Sequence, residues 1–174
     1  QKTLNRIFER HESLRTVFQT RDGMAYQYIY PDPRSETRVD YLYGVSPDDP
    51  KIKQIITEES KKPFNIESGP LVHFRYLILA EDELIMIMVI HHIISDGWSM
   101  GIFFKEFAVL YDHYLNQSAL DLPELPIQYA DYASWQRDWL QARILQKQLG
   151  YWRDKLAGAP ERLALPTDRP HPPA

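Results

Sequence analysis

Leu84-Ile-Met-Ile-Met-Val-Ile-His-His-Ile-Ile-Ser-Asp-Gly97 is the stretch on which the fold turns. Its apolar run, Leu84 to Ile90, is seven residues long, whereas a membrane span needs roughly 20. A short run of this kind, apolar on both faces, predicts a central strand covered on both sides. Two histidines end it, Asp96 and Gly97 follow, and a helical pattern starts there. Upstream, Leu71–Leu79 predicts a partner strand with Val72, Phe74, Tyr76 and Ile78 on one face, joined through Ala80-Glu-Asp-Glu83.

Working outward, Leu4, Ile7, Phe8 and His11 recur at helical spacing, which predicts an amphipathic helix over 2–11. Leu14–Phe18 and Ala25–Tyr30 are β-rich runs around Arg21-Asp-Gly23, a hairpin signal. Val39–Tyr43 is a further strand candidate. Asp49 before Pro50 is an N-cap followed by an N1 proline, with Ile52, Ile55 and Ile56 as the buried face of the helix it opens. After Gly97 a long helix carries Phe103, Phe107, Leu110 and Tyr114 in one stripe. Tyr132, Trp135 and Trp139 line another helix, and Leu145, Leu149, Trp152 and Leu156 a last one, stopped by Gly158. With no strict βαβ rhythm, the fold class is α+β.

The chain of 174 residues and 20.5 kDa is about one domain in size. Its 44% apolar and 25% charged content argues against intrinsic disorder. Net charge is −4, from 20 basic and 24 acidic residues, which removes the electrostatic case for nucleic acid or an anionic membrane as partner. The absence of cysteine excludes disulfides, a thiolate nucleophile and a zinc–cysteine site, and fits a cytoplasmic setting. Five of the 13 prolines follow Gly158. Residues 159–174 therefore read as an extended connector after a lobe spanning 1–158. The N-terminus, with neither initiator Met nor signal sequence, reads as the cut end of something longer.

Neighbouring strand residues face opposite ways, so His91 and His92 do not look into one pocket, which argues against a metal site. His92 shares its face with Met88 and Ile90, and His91 with Ile87 and Val89. An imidazole at the end of an apolar strand is expected to be partly desolvated and neutral near pH 7. In that form it accepts a proton from an attacking nucleophile. Asp96 reads either as a partner orienting the histidine or as a plain helix N-cap. Near the histidines no serine or cysteine sits in a sharp glycine elbow, so direct transfer between two bound substrates is expected, with no covalent enzyme intermediate.

His91-His-Ile-Ile-Ser-Asp-Gly97 resembles the HHxxxDG motif of condensation domains from nonribosomal peptide synthetases. Other acyltransferases of the chloramphenicol acetyltransferase-like fold, wax ester synthases among them, share that motif. Arg10-His-Glu-Ser-Leu-Arg-Thr-Val-Phe18 resembles the family's RHExLRTxF segment, and Tyr129-Ala-Asp-Tyr-Ala-Ser-Trp135 its YxDYAxW segment. Pro63-Phe-Asn-Ile-Glu-Ser-Gly-Pro-Leu71 and Leu165-Pro-Thr-Asp-Arg-Pro170 are similar to family segments too. The likeness covers essentially the whole chain, in order.

That resemblance implies a chloramphenicol acetyltransferase-like lobe, a mixed, mostly antiparallel sheet packed by helices. It is one half of a two-lobed pseudodimer, the N-terminal one, lacking its first segment and facing a missing C-terminal lobe. It implies amide formation between a donor aminoacyl or peptidyl thioester and the amine of an acceptor aminoacyl thioester, in antibiotic or secondary-metabolite synthesis. Donor and acceptor peptidyl carrier domains and an adjacent adenylation domain are the implied partners. Phosphopantetheine arms belong to the carriers, so the domain itself is expected to need no cofactor and no metal. His92 matches the catalytic histidine, which deprotonates or orients the acceptor amine. His91 matches the first histidine, held by local hydrogen bonds, and Gly97 a glycine that crowds the reaction centre. Asp96 matches an aspartate in a structural salt bridge with an arginine, here Arg15 or, as runner-up, Arg10. Tyr129, Tyr132 and Trp135 are expected as helix-face core aromatics, and Leu145–Leu156 as an inter-helix packing face. The alternatives within the fold are an ester-forming acyltransferase and an epimerisation domain. A non-catalytic carrier-docking lobe is the alternative of another class. Residues 1–174 alone are expected to fold without condensing.

Overall fold

A computed structural model describes residues 1–33, 35–141, 143–160, 166 and 168. Most of the expected connector, 159–174, lies outside the described residues. The chain divides into two compact units, Gln1–Tyr132 and Ala133–Ala174.

In the first unit the elements run α1 (Lys2–Arg10), β1 (Thr16–Arg21), β2 (Met24–Ile29), β3 (Glu36–Tyr41), α2 (Pro50–Ser60), β4 (Val72–Ile78), β5 (Leu84–Ile90) and α3 (Gly97–Asn116). Glu12–Arg15 forms a 3₁₀ turn, so β1 starts at Thr16 rather than at Leu14. β1 and β2 pair antiparallel, Phe18 facing Gln27. Their turn takes Asp22 and Gly23 through positive φ (51° and 74°), as a two-residue hairpin loop requires. Asp49 caps α2 by accepting from the Lys51 N–H at 2.8 Å, and Pro50 fills the first turn as expected.

The second sheet has the order β3-β4-β5, with β3 and β4 parallel across α2, and β4 and β5 antiparallel. It is mixed, as expected. Among the described residues, however, the middle strand is β4, and β5 pairs on one side only, whereas the sequence predicts β5 as the central strand. The apolar pattern of β5 reports layers above and below it, not hydrogen-bonded neighbours on both sides. Leu84 is exposed, and Ile87 alone in β5 is buried.

One core lies between α1, α3 and the even face of β4, built from Leu4, Ile7, Phe8, Leu14, Val72, Phe74, Phe103 and Leu110. Met86, Met88 and Ile90 of β5 pack against it. The other face carries Leu77, Leu79 and Ile87 under Ile52 and Ile55 of α2, with Val89 packed at its margin. Burying each such side chain stabilises by about 1.5–3 kcal/mol. Beside this second core lies an ionic cluster that residue spacing along the chain does not announce. Arg75 of β4 donates to Asp40 of β3 and to Glu59 of α2 at 3.0 Å, and Lys62 donates to Glu59 at 2.7 Å. Burial pushes the Glu59 carboxyl up. Lys62, Arg75 and the neighbouring His73 outweigh it and hold the group below its ordinary range.

α4 (Tyr129–Trp139) and α5 (Arg143–Leu156) bury no residue. Tyr129, Tyr132, Trp135, Leu145 and Leu149 are all exposed, so the expectations of core aromatics on α4 and of inter-helix packing on α5 are not met. Helical spacing places both helices, but a helix stripe says nothing about which surface covers it. No described helix is long and apolar enough to cross a membrane.

The loop from α2 to β4 is fitted closely against β1. Ile66 accepts from the Phe18 N–H at 2.8 Å, and a Cβ at Gly69 would lie 2.9 Å from Val17 Cγ1, at a φ of +60°. Gly44 also has positive φ (+78°) but open space around it. Gly69→Ala is expected to cost more than about 1 kcal/mol, and more than Gly44→Ala, because it combines strain with a clash. Urea unfolding midpoints at unchanged slope measure this; equal losses would remove the close fit.

Candidate active site

β5 delivers the two histidines and a short turn passes the chain to α3. The Leu71 carbonyl accepts from the His91 N–H at 2.9 Å, extending the β4–β5 pairing one residue beyond the strand. His91 then closes the turn itself. Its carbonyl accepts from Ile94 N–H at 3.1 Å and its Nδ1 accepts from Ile93 N–H at 3.0 Å. With Nδ1 as acceptor, neutral His91 carries its proton on Nε2. Within β5 side-chain parity holds, Ile87 and Met88 facing different cores. The His91 ring meets Phe64 edge to face, at 5.7 Å between centroids, on the side of β5 that carries Val89.

His92 opens onto a cavity of about 180 Å³ formed within the first unit. Five of its eleven lining residues bear hydroxyls: Ser13 from the 3₁₀ turn, Thr16 from β1, Ser95 and Ser99 around the start of α3, and Tyr129; Ile93 and Ile94 add apolar wall. Phe18 and Gln27 complete the hairpin side. A more apolar recess of about 120 Å³ adjoins it, with Leu14, Ile90, Met100 and Phe103 in its walls. His92 is exposed at the cavity rather than partly desolvated, because the strand has ended and the turn carries the residue out of the β5 layer. Such a site can hold a substrate against an imidazole, with hydroxyls and the apolar Phe18, Ile93 and Ile94 around it.

Asp96 is the N-cap of α3. Its Oδ1 accepts from the Ser99 N–H (2.8 Å) and hydroxyl (2.7 Å), and the Ser99 hydroxyl accepts from the Asp96 N–H at 3.4 Å, completing a capping box. The backbone and hydroxyl bonds from Ser99 hold the Asp96 carboxyl below its ordinary range, the nearby His92 adding least. The expected Asp96–Arg15 pair is therefore corrected. Arg15 Nε donates to the Phe8 carbonyl at 3.1 Å, its Nη1 to the Tyr30 carbonyl, and its Nη2 lies 3.6 Å from Glu12. Asp96 is exposed and already satisfied by amide and hydroxyl, so no buried charge calls for a cation.

The runner-up, Arg10, is also committed elsewhere. It grips Glu106 of α3 through Nε (3.0 Å) and Nη2 (3.2 Å), and His11 Nε2 lies 2.8 Å from the same carboxylate. Spacing alone does not single out Glu106, although a glutamate between Phe103, Phe107 and Leu110 on one helix face is itself the signal of a buried ion pair. Around Gly97 the chain itself leaves open space, and a Cβ there would meet nothing within 4 Å. Among the described residues no three His, Asp or Glu side chains are grouped to hold a metal ion.

Because Asp96 acts as a cap, Asp96→Ala is expected to leave the protein folded and to fray only the first turn of α3. Asp96→Asn should largely preserve that turn. Backbone chemical shifts of Gly97–Ser99 report it. A folded-state carboxyl below its ordinary range contributes stability that is complete above that range and is lost as acid protonates it, so the wild-type shifts should move the same way at low pH only. Global unfolding of Asp96→Ala would restore a buried-pair role.

The condensation domain family model matches residues 1–174. A linear gramicidin synthase polypeptide of Brevibacillus parabrevis is 45% identical over 174 residues, covering 99% of this chain and 2% of that protein. Malpibaldin synthetase of Mortierella alpina is 43% identical, covering 99% of this chain and 3% of that protein. The chain thus spans only a few per cent of these synthetases. Among solved structures, the epimerization domain from the third module of tyrocidine synthetase B superposes with a TM-score of 0.78 at 27% identity, covering 96% of this chain and 37% of that one. The X-domain from teicoplanin biosynthesis gives 0.80 at 26%, covering 98% and 38%. Motif, fold and likeness agree, and the chain belongs to the condensation domain family of nonribosomal peptide synthetases, with the chloramphenicol acetyltransferase-like fold.

Proposed function

We propose that this chain is the catalytic-histidine lobe of a domain that forms an amide between two carrier-bound substrates. The acceptor amine attacks the carbonyl carbon of the donor aminoacyl or peptidyl thioester. A C–N bond forms, the C–S bond breaks, and the proton lost by nitrogen ends on the departing thiolate. The acyl group arrives already activated as a thioester, so the step needs neither metal nor resident cofactor. Phosphopantetheine arms, donor and acceptor carriers and the adenylation domain that loads them are the partners in this reading.

The observation that carries it is the placement of His92. It leaves the end of β5 and opens onto the cavity, where an imidazole nitrogen accepts a hydrogen bond from the attacking amine. His91 supports it by fixing the turn, and Asp96 by starting the helix that forms the cavity wall. The second reading is epimerisation, favoured by the likeness to the tyrocidine synthetase epimerization domain. In both, the histidine works on a proton next to a carrier-bound acyl group.

In the full-length domain with two loaded carriers, His92→Ala is expected to lower amide formation by about 10²–10⁴-fold with the fold intact. Mass spectrometry of the carrier arms reads out the product. Condensation at the wild-type rate would refute the assignment. Inversion of the donor without amide formation would give the domain to epimerisation instead. Residues 1–174 alone are expected to fold and not to condense, since the facing wall that positions the second substrate is not among them.

A further inference from the structure

On the side of the sheet away from the cavity, four side chains lie in a line, and of these the proposed chemistry uses only His91. Glu59 of α2, 2% exposed, sits 3.3 Å from Nε2 of His73 on β4. That nitrogen is buried and makes no hydrogen bond among the described residues, so ring packing supplements its approach to Glu59. The packing comes from Phe64, whose ring lies 5.0 Å from that of His73 at a tilt of 34°. The same ring meets His91 edge to face at 5.7 Å. His73 stands opposite Val89 in the β4–β5 register, and His91 lies two residues beyond Val89, so both imidazoles flank Phe64 at the end of the strand pair.

We infer that Phe64 is a positioning residue for the reaction, holding the His91 ring between strand end and loop so that its Nδ1 stays aimed at the Ile93 N–H. The inference rests on His92 acting at the cavity. The Ile93 N–H···Nδ1 bond sets the turn that directs His92, and it exists only when the His91 ring stands in one rotamer and one tautomer. An imidazole free to rotate would exchange that bond for water and loosen the residue next to it. Edge-to-face ring pairs attract one another beyond what their buried area supplies, enough to select one rotamer over another. On the His73 side of the clamp stands Glu59, itself held by Arg75 in the ionic cluster joining α2 to β4.

The test has two readouts. In the 174-residue chain with ¹⁵N-labelled histidine, His91 is expected as the Nε2–H tautomer in the wild type. In Phe64→Leu, which keeps apolar volume but removes the ring, its resonances are expected to shift toward a mixture. Phe64→Tyr should restore them. In the full-length domain, Phe64→Leu is expected to lower kcat by about 10- to 100-fold with KM for the loaded acceptor carrier nearly unchanged, and Phe64→Tyr to recover most of it. A wild-type His91 protonated on Nδ1 would overturn the inference without any variant. So would a Phe64→Leu domain with wild-type kcat and an unshifted His91. A wild-type domain that forms no amide, with the tautomer pattern as expected, would fail the proposed function and leave the clamp standing.

Discussion

The carboxylate of Glu106, held by Arg10 and His11, ties together the segments that surround the cavity. Glu106 is on the buried face of α3, at 7% exposure, where an unpaired charge would be untenable. Burial raises its carboxyl, but the hydrogen bonds from Arg10 and His11 outweigh that and keep it below the ordinary range, hence ionised. Arg10 and His11 end α1 and lead into the 3₁₀ turn that supplies Ser13. The Arg10 carbonyl accepts from Gln128 Nε2 at 2.9 Å, and Gln128 Oε1 accepts from the Glu12 N–H at 3.1 Å. Tyr129 is the next residue. One ionic knot thus fixes α3, the 3₁₀ turn and the start of α4 around the place where His92 emerges.

The division of labour between long-range and local devices follows. Distant segments are joined by buried ion pairs, Arg10–Glu106 on one face of the sheet and Arg75–Glu59 on the other. The turn that bears the histidines is instead shaped by neighbours along the chain: His91 with Ile93 and Ile94, and Asp96 with Ser99. A catalytic turn built this way is set by its own sequence, while its walls are set by the fold. Losing a cap loosens a turn; stranding a buried charge threatens the domain.

Much of this is legible in the chain. Period-two parity correctly sends Ile87 and Met88 to different cores, but His92 lies past the strand, in the turn, where parity no longer decides. The Asp49-Pro50 start and the Asp-Gly hairpin are local signals, and local chemistry decides them. Partnership across the chain is less legible. Arg15 is assigned to Asp96 by the family resemblance, but which cation reaches which carboxylate depends on burial, and burial is a property of the fold. The same gap explains β5, whose apolar pattern counts covering layers and not edges. It explains α4 and α5 as well, where the stripe is written in the residues and its cover is not.

Which charges are coupled decides how the cavity is held, and double-mutant cycles measure that directly. Unfolding free energies are needed for Arg10→Ala, Glu106→Ala and their double variant, and for Arg15→Ala, Asp96→Ala and theirs. Strong coupling, on the order of 0.5–3 kcal/mol or above, is expected between Arg10 and Glu106. None beyond experimental error is expected between Arg15 and Asp96. Additive losses in the first cycle with strong coupling in the second would contradict the ionic knot and restore the buried Asp96 pair.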